Sequence, residues 1–186
     1  MHTLPWTDVL LRLVVATALG GLVGIERERL DRAAGLRTHI LVAIASCLVM
    51  IVSAFGFADA LATDGTVSLD PSRVAAQVVS GIGFLGAGVI IFRKNTVRGL
   101  TTAASIWAVA GIGLAAGGGL FAGAAIGTGL ILVVQAGIRP LERRLFSRPQ
   151  EHRLELRVQR GAKRLLAVEQ VIAARGIELR GLRLRP

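Results

Sequence analysis

The chain has 186 residues, of which 53% are hydrophobic, and it carries 22 Lys and Arg against 12 Asp and Glu. The apolar residues lie in blocks with the arginines between them, which is typical of a polytopic membrane protein and argues against a soluble nucleic-acid binder. Because Cys47 is the sole cysteine, the chain provides neither a disulfide framework nor a cysteine metal site.

Five apolar stretches predict five transmembrane helices. The first contains Arg12, which we expect to reach the nearer surface along its apolar stem, and since no cleavable signal precedes it, this span should remain in the mature protein. The third holds no charged residue from Val74 to Phe92; about 19 residues at a rise of 1.5 Å cover roughly the 30 Å of a bilayer core. The predicted spans are about residues 9–25, 40–57, 74–92, 100–114 and 120–138.

Glycines are concentrated in the third stretch, whose central part reads VVSGIGFLGAGVII. Their spacing matches a dinucleotide-binding fingerprint, but that fingerprint needs a turn after a short strand and an acidic residue about 20 residues further on. Residues 99–110 contain no carboxylate. We therefore interpret the glycines as small contacts that let helices pack backbone to backbone, as in the Gly-x-x-x-Gly of the first span. The predicted packing residues are Gly20, Gly24, Gly81, Gly83, Gly86 and Gly88.

The charges in the loops predict the orientation of the chain. Basic residues are concentrated in residues 26–38, 93–98 and 139–148, whereas the loop before the third span holds three aspartates and a single arginine, Arg73. Cytoplasmic loops are enriched in Lys and Arg. The alternation therefore predicts five spans with the N-terminus outside and the C-terminus in the cytoplasm.

The end of the chain differs in character. From His152 to Gln159 the apolar residues alternate at period two, as in a half-buried strand, and a helical spacing follows before Gly176. We predict a transmembrane domain at residues 1–146 and a cytoplasmic strand-helix-strand tail at residues 147–186, which is too small to be stable alone. The predicted fold class is an α-helical polytopic membrane protein, a five-helix transmembrane bundle with a small α+β region.

Three stretches together resemble the MgtC/SapB family of bacterial inner-membrane proteins. They are residues 19–38, which begin LGGLVGIER and end AGLRT; residues 70–90, DPSRVAAQVVSGIGFLGAGVI; and residues 97–107, VRGLTTAASIW. The resemblance implies a plasma-membrane helical domain followed by a cytoplasmic ACT-like region. It also implies no enzymatic activity and no cofactor.

The resemblance further implies a role in adaptation to low magnesium and, in pathogens, in survival inside host cells. Magnesium transport and restraint of the F-type ATP synthase are the activities it suggests. Acidic residues are nearly absent from the predicted spans, where a transporter is expected to carry several. A regulator that contacts another membrane complex is the favoured interpretation, transport of Mg²⁺ or another cation is the alternative, and homo-oligomerisation is left open.

This chain departs from the family in two respects. Longer members carry a full ACT-like domain, whereas this tail has about half that length, which places a ligand pocket of that type in doubt. Members of the MgtC branch have Asn where Thr101 stands and Cys where Ala108 stands. Functions tied to these two positions are therefore not transferred.

A polar cluster is expected where the first two spans meet the cytoplasm. Glu26 lies two residues beyond Gly24 at the membrane edge, where a carboxylate is normally paired or faces water. We expect an ion-pair cluster that contains Glu26, Arg27 and Arg37 and extends to His39. Such a cluster would be a structural and topological feature, or a site that handles cations or binds a partner.

Other candidates lie in the third and fourth spans. Asp70 is suited to cap the third helix, and Gln77 needs hydrogen-bond partners in lipid. Thr101 and Ser105 are predicted to share one face of the fourth span. The histidines are scattered along the sequence, so neither a catalytic triad nor a metal cluster is predicted. The candidate functional residues are Glu26, Arg27, Gly35, Arg37, Thr38, Asp70, Arg73, Gln77, Arg98, Thr101 and Trp107.

The topology can be tested by cysteine accessibility. In a background lacking Cys47, single cysteines at Thr66 and Asn95 should react with a membrane-impermeant maleimide from opposite sides of the membrane. Labelling of both positions from the same side would contradict the five-span arrangement.

Overall fold

The computed structural model describes residues 4–57, 70, 72–93 and 96–138. The predicted strand-helix-strand tail at residues 147–186 lies outside the described residues, so the tail and the domain boundary before it remain predictions. The same holds for most of the predicted outer loop before Asp70.

The described chain is built from five α-helices, as predicted. Three of them, α1, α2 and α4, are long and apolar enough to cross a membrane. The apolar helix Phe121–Gly137 is shorter, and α3 has 17 residues. The helices are α1 (Trp6–Arg29), α2 (Leu36–Phe55), α3 (Ser72–Gly88), α4 (Leu100–Gly117) and α5 (Phe121–Leu132), which continues as a π-helical turn (Val133–Gly137).

The predicted third span ended at Phe92, and this boundary is wrong. Helix α3 ends at Gly88, and the strands β1 (Ile91–Arg93) and β2 (Thr96–Arg98) then pair as an antiparallel hairpin. The run of β-branched residues from Val89 to Ile91 favours an extended chain. Gly99 follows β2 with φ +92°, and a Cβ there would collide with the carbonyl of Val89. Hydropathy could not detect this end, because the strand residues are as apolar as the helix.

Helix α2 packs against both α1 and α4, and small residues form these contacts. A Cβ at Gly20 would lie 2.6 Å from Ala43 Cβ, and one at Gly24 would lie 2.8 Å from Leu36 Cα. On the other side of α2, a Cβ at Gly113 would collide with the Ala43 carbonyl oxygen. Glycine permits the close backbone approach on which packing between membrane helices depends. Gly113 and the similarly placed Gly117 were not predicted as packing residues.

Long-range polar contacts fix the relative direction of the three central helices. Arg12 of α1 donates a hydrogen bond to the carbonyl of Gly117 at the end of α4 and lies 5.1 Å from the ring centroid of Phe55 at the end of α2. Helix α1 therefore runs antiparallel to α2 and α4. The sequence predicts that Arg12 reaches the nearer surface along its stem. In the structure its guanidinium binds the C-terminus of α4, where the helix dipole favours a positive charge.

The glycine contacts predict opposite effects of one substitution at two neighbouring positions of α4. Gly113→Ala should lower the free energy of unfolding by about 1–3 kcal/mol, because the new Cβ meets the α2 backbone. Gly111→Ala is the matched control: no atom of the described residues lies within 4 Å of its Cβ position, so alanine should be neutral or raise stability by up to about 1 kcal/mol. Unfolding of the detergent-solubilised protein would measure both. Equal effects would contradict the packing.

Candidate functional site

A buried polar cluster lies where the end of α1 meets the beginnings of α2 and α4. The π-helical turn after α5 reaches the same place. We define the polar cluster as the residues that are joined here by side-chain hydrogen bonds. They are Arg27, His39, Thr102, Ser105 and Gln135.

His39 is the centre of a chain of hydrogen bonds that joins three helical segments. Its Nδ1 lies 2.8 Å from the carbonyl oxygen of Gly35, and its Nε2 lies 2.8 Å from Ser105 Oγ. Gln135 Nε2 donates to the same Oγ at 2.9 Å. Because the Gly35 carbonyl can only accept, Nδ1 carries a proton. In the neutral imidazole Nε2 then accepts from the Ser105 hydroxyl, and every group in the chain has a compatible role.

Arg27 is the largest buried side chain of the described protein, with 2% of its surface exposed. Its Nη2 donates to Thr102 Oγ1 at 3.0 Å, which ties the end of α1 to the first turn of α4. A charged side chain is costly to bury and is retained only where it is paired or hydrogen-bonded. Arg27 was predicted to belong to a cluster at this place, and the structure brings it together with hydroxyls of α4.

Glu26 is adjacent to Arg27 in sequence but differs from it in its partners. Both oxygens of its carboxylate are buried, and neither has a hydrogen-bond partner among the described residues. Among the described residues, Glu26 forms no ion pair with Arg37 or His39, which the sequence placed in one cluster with it. Since a buried carboxylate without a partner is unfavourable, this group is the strongest anomaly of the site.

Gly35 has a clear role at the start of α2. Glu28 Oε2 accepts a hydrogen bond of 3.0 Å from the backbone N–H of Leu36, in the first turn of the helix, where backbone donors lack partners within the helix. A Cβ at Gly35 would collide with the Glu28 carboxylate. Gly35 therefore makes room for this cap and provides the carbonyl that His39 binds.

Several predicted candidates lie outside the polar cluster. Arg37 and Thr38 are exposed at the start of α2, and Arg98 is exposed in β2. Trp107 is 54% exposed on α4. Thr101 is also exposed. Its spacing of four residues places it on the same side of α4 as Ser105, but the other buried hydroxyl of this part of α4 is that of Thr102.

Asp70 and Arg73 lie at the start of α3. Asp70 Oδ1 accepts hydrogen bonds from the backbone N–H of Ser72 at 2.9 Å and from its hydroxyl at 2.6 Å, and Arg73 Nε lies 3.6 Å from Oδ2. The Ser72 bonds, helped by Arg73, lower the pKa of the Asp70 carboxyl. Ser53, near the end of α2, accepts from the N–H of Ala75 at 3.1 Å. This group is therefore at the opposite end of α2 from His39.

The glycines of α3 differ from those of the central helices. A Cβ at Gly86 would lie 3.5 Å from Ala103 of α4, an ordinary contact. At Gly81, Gly83 and Gly88, a Cβ would meet no atom of the described residues within 4 Å. Gln77 is also exposed. Packing at these three glycines and hydrogen-bond partners for Gln77 therefore remain predictions. Such contacts would be made with groups other than the described residues.

Ser105 and His39 have the separation of a nucleophile and its base, a pairing that the sequence analysis did not foresee. Both side chains are buried, with 2% and 0% of their surface exposed, so no substrate reaches them in this conformation. The described residues contain no group of three or more His, Cys, Asp and Glu that could hold a metal ion. The arrangement links helices, and its chemistry is that of hydrogen bonding and charge.

Gln135 is the member of the polar cluster that sequence reasoning missed entirely. A signal was present, because Gln135 is an amide inside a predicted span that holds no charged residue, and such a group requires a partner in lipid. For its partner, Ser105, the sequence predicted only a common face with Thr101 on the fourth span.

Removal of the Ser105 hydroxyl tests the hydrogen-bond chain. Ser105→Ala should lower the free energy of unfolding by about 1–3 kcal/mol, because His39 Nε2 and the Gln135 amide each lose a buried partner. Thr101→Ala, which removes an exposed hydroxyl four residues earlier in α4, is the control. It should change the free energy of unfolding by less than about 0.5 kcal/mol. If the two variants unfold alike, the chain does not stabilise the bundle.

The comparisons with known proteins agree with the motifs. The chain matches the MgtC family over residues 13–144. It is 44% identical over 149 residues to a protein of Escherichia coli (strain K12) named "Putative magnesium transporter YhiD", with 80% of this chain and 69% of that protein covered. It is 46% identical over 129 residues to "Protein MgtC" of Brucella abortus (strain 2308), with 69% of this chain and 50% of that protein covered.

The similarity extends to a Gram-positive organism. "Protein SapB" of Bacillus subtilis (strain 168) is 44% identical over 108 residues, which are 56% of this chain and 45% of that protein. No solved structure matches the chain. The family match includes α1 from residue 13 onward, α2 to α5 and every residue of the polar cluster. It confirms the resemblance inferred from the motifs: this chain belongs to the MgtC family of membrane proteins.

Proposed function

We propose that this protein is a non-enzymatic regulator in the bacterial plasma membrane that acts during adaptation to low magnesium by contacting another membrane complex. Its N-terminus would lie outside and its C-terminus in the cytoplasm. The F-type ATP synthase is the partner that the family resemblance suggests.

The outward face of α3 is the observation that carries this proposal. Only Ile82 and Gly86 of α3 are buried. Gly81, Phe84 and Gly88 recur at helical spacing on another face, and Phe84 is 83% exposed. Exposed glycines offer lipid little surface, whereas they allow a second helix to approach closely. This face of α3 has the composition of a helix-binding surface that the described residues do not use.

The polar cluster supports a regulator rather than an enzyme. Its members bond to one another across α1, α2, α4 and the end of α5, so their arrangement depends on how these helices are placed. A partner bound to α3 would act on it through α4, against which α3 packs. Coupling of this kind requires contacts that differ between two arrangements of the helices.

Transport is the second candidate, favoured by the name of the E. coli relative and by the buried charges of Glu26 and Arg27. Intramembrane ionisable groups commonly mark ion pathways. Against it, the described residues hold no cluster of carboxylates of the kind that a dehydrated Mg²⁺ requires.

Site-specific photo-crosslinking in cells grown at low magnesium tests the regulator. A photoreactive residue at Phe84 should form an adduct with a membrane-protein partner, whereas one at Leu130, which is 62% exposed on α5, should not. Gly81→Leu should abolish the adduct and the growth advantage that the protein gives these cells at low magnesium. It should leave the free energy of unfolding unchanged within about 0.5 kcal/mol. An adduct that persists in Gly81→Leu would contradict this use of α3.

Flux measurements separate the two candidates. Proteoliposomes that contain the purified protein should show no Mg²⁺ flux above empty vesicles. A robust flux that Asp70→Asn abolishes would replace the regulator with a transporter.

A further inference from the structure

We infer that Glu26 and Gln135 form a binding site for a small, partly hydrated cation between α1 and the π-helical turn that follows α5. The inference does not depend on the proposed function, because cation binding to the purified protein can be measured without a partner and without flux. It starts from buried oxygen atoms that the hydrogen-bond chain of the polar cluster leaves unused.

Three side-chain oxygens at this end of the bundle are buried and have no hydrogen-bond partner among the described residues. They are both carboxylate oxygens of Glu26 and Oε1 of Gln135. All three are acceptors, and the amide nitrogen of Gln135 is already committed to Ser105. A ligand that satisfies them must therefore supply positive charge or hydrogen-bond donors. A bound cation or its water molecules would do both.

The residue spacing along two packed helices places Glu26 and Gln135 at a similar depth in the bundle. Arg12, Leu19 and Glu26 follow a seven-residue spacing and so share a face of α1. At Arg12 that face meets the turn before α5, because a Cβ at Gly119 would lie 3.3 Å from Arg12 Nη2. Helices α1 and α5 pack together. The two helices run in the same direction. At 1.5 Å per residue, Glu26 lies about 21 Å from Arg12 along α1, and Gln135 lies about 24 Å from Gly119 along α5 and its π-helical turn.

The neighbouring charges define the class of ligand. The carboxylate of Glu26 provides the negative charge, while the Arg27 guanidinium is directed to Thr102 on α4. The Nε of Arg32 also lacks a hydrogen-bond partner in the described part of the chain. Arg32 itself follows the end of α1, which is at Arg29. Three protein oxygens fill half of an octahedral shell, so the ion would keep several waters, as Mg²⁺ commonly does. Na⁺ would also fit a shell of carboxylate, amide and water oxygens.

Thermal unfolding of the full-length protein in detergent tests the site, with MgCl₂ and NaCl titrated separately at constant ionic strength maintained with choline chloride. A ligand that binds only the folded state raises Tm, and at a hundredfold excess over Kd the rise should be roughly 5–10 °C for a chain of this size. Glu26→Gln keeps the shape but removes the charge, and it should abolish the rise. Asp70→Asn, which removes a carboxylate at the other end of α2, should retain it.

Two further measurements keep the inference testable if Glu26→Gln does not fold. Gln135→Leu should reduce the rise in Tm, whatever its own stability. Equilibrium dialysis of the wild-type protein should give one ion per chain for whichever cation raises Tm. The inference is overturned if neither cation raises Tm, or if the rise is undiminished in Glu26→Gln or in Gln135→Leu.

Discussion

The close approach of α1 to α2 is the contact on which the rest of this structure depends. A Cβ at Gly24 would lie 2.8 Å from Leu36 Cα and 3.2 Å from His39 Cβ, so a larger residue would push away the segment that carries His39. His39 could then no longer reach Ser105 at 2.8 Å. In a lipid environment a separated polar group has no water to bond instead. Glycine packing and the buried hydrogen bonds are thus a single arrangement, in which the first permits the second.

The sequence predicted the five helices, the family and part of the site. Hydropathy identifies each helix, because apolar stretches of this length have few other stable structures. Charge at a span edge singled out Glu26 and Arg27. The contacts from His39 to Ser105 and from Gln135 to Ser105 could not be derived, since they join residues 66 and 30 positions apart. They depend on the rotation of each helix about its axis, which a nearly uniform apolar surface does not specify.

The glycines divide into two classes that composition alone does not separate. Gly20 and Gly24 of α1 and Gly113 and Gly117 of α4 face α2 at distances that no side chain could tolerate, whereas most glycines of α3 meet nothing in the described chain. Both classes lie in apolar stretches of similar composition. The difference arises because α2 lies between α1 and α4 while α3 lies at the edge of the bundle, with only Ile82 and Gly86 buried. A glycine motif therefore predicts a contact without identifying which helix supplies it.

The bond from Arg12 to Gly117 has a consequence for how the protein enters the membrane. Its two residues are 105 positions apart, and synthesis at about 5–20 residues per second separates them by roughly 5–20 s. During this interval α1 carries an arginine whose final partner has not yet been made. An arginine within a span costs about 2.5–3.5 kcal/mol on insertion scales, unless its stem carries the charge to the interface. Until α4 is made, only the apolar stem of Arg12 can carry its charge toward the interface, because the Gly117 carbonyl does not yet exist.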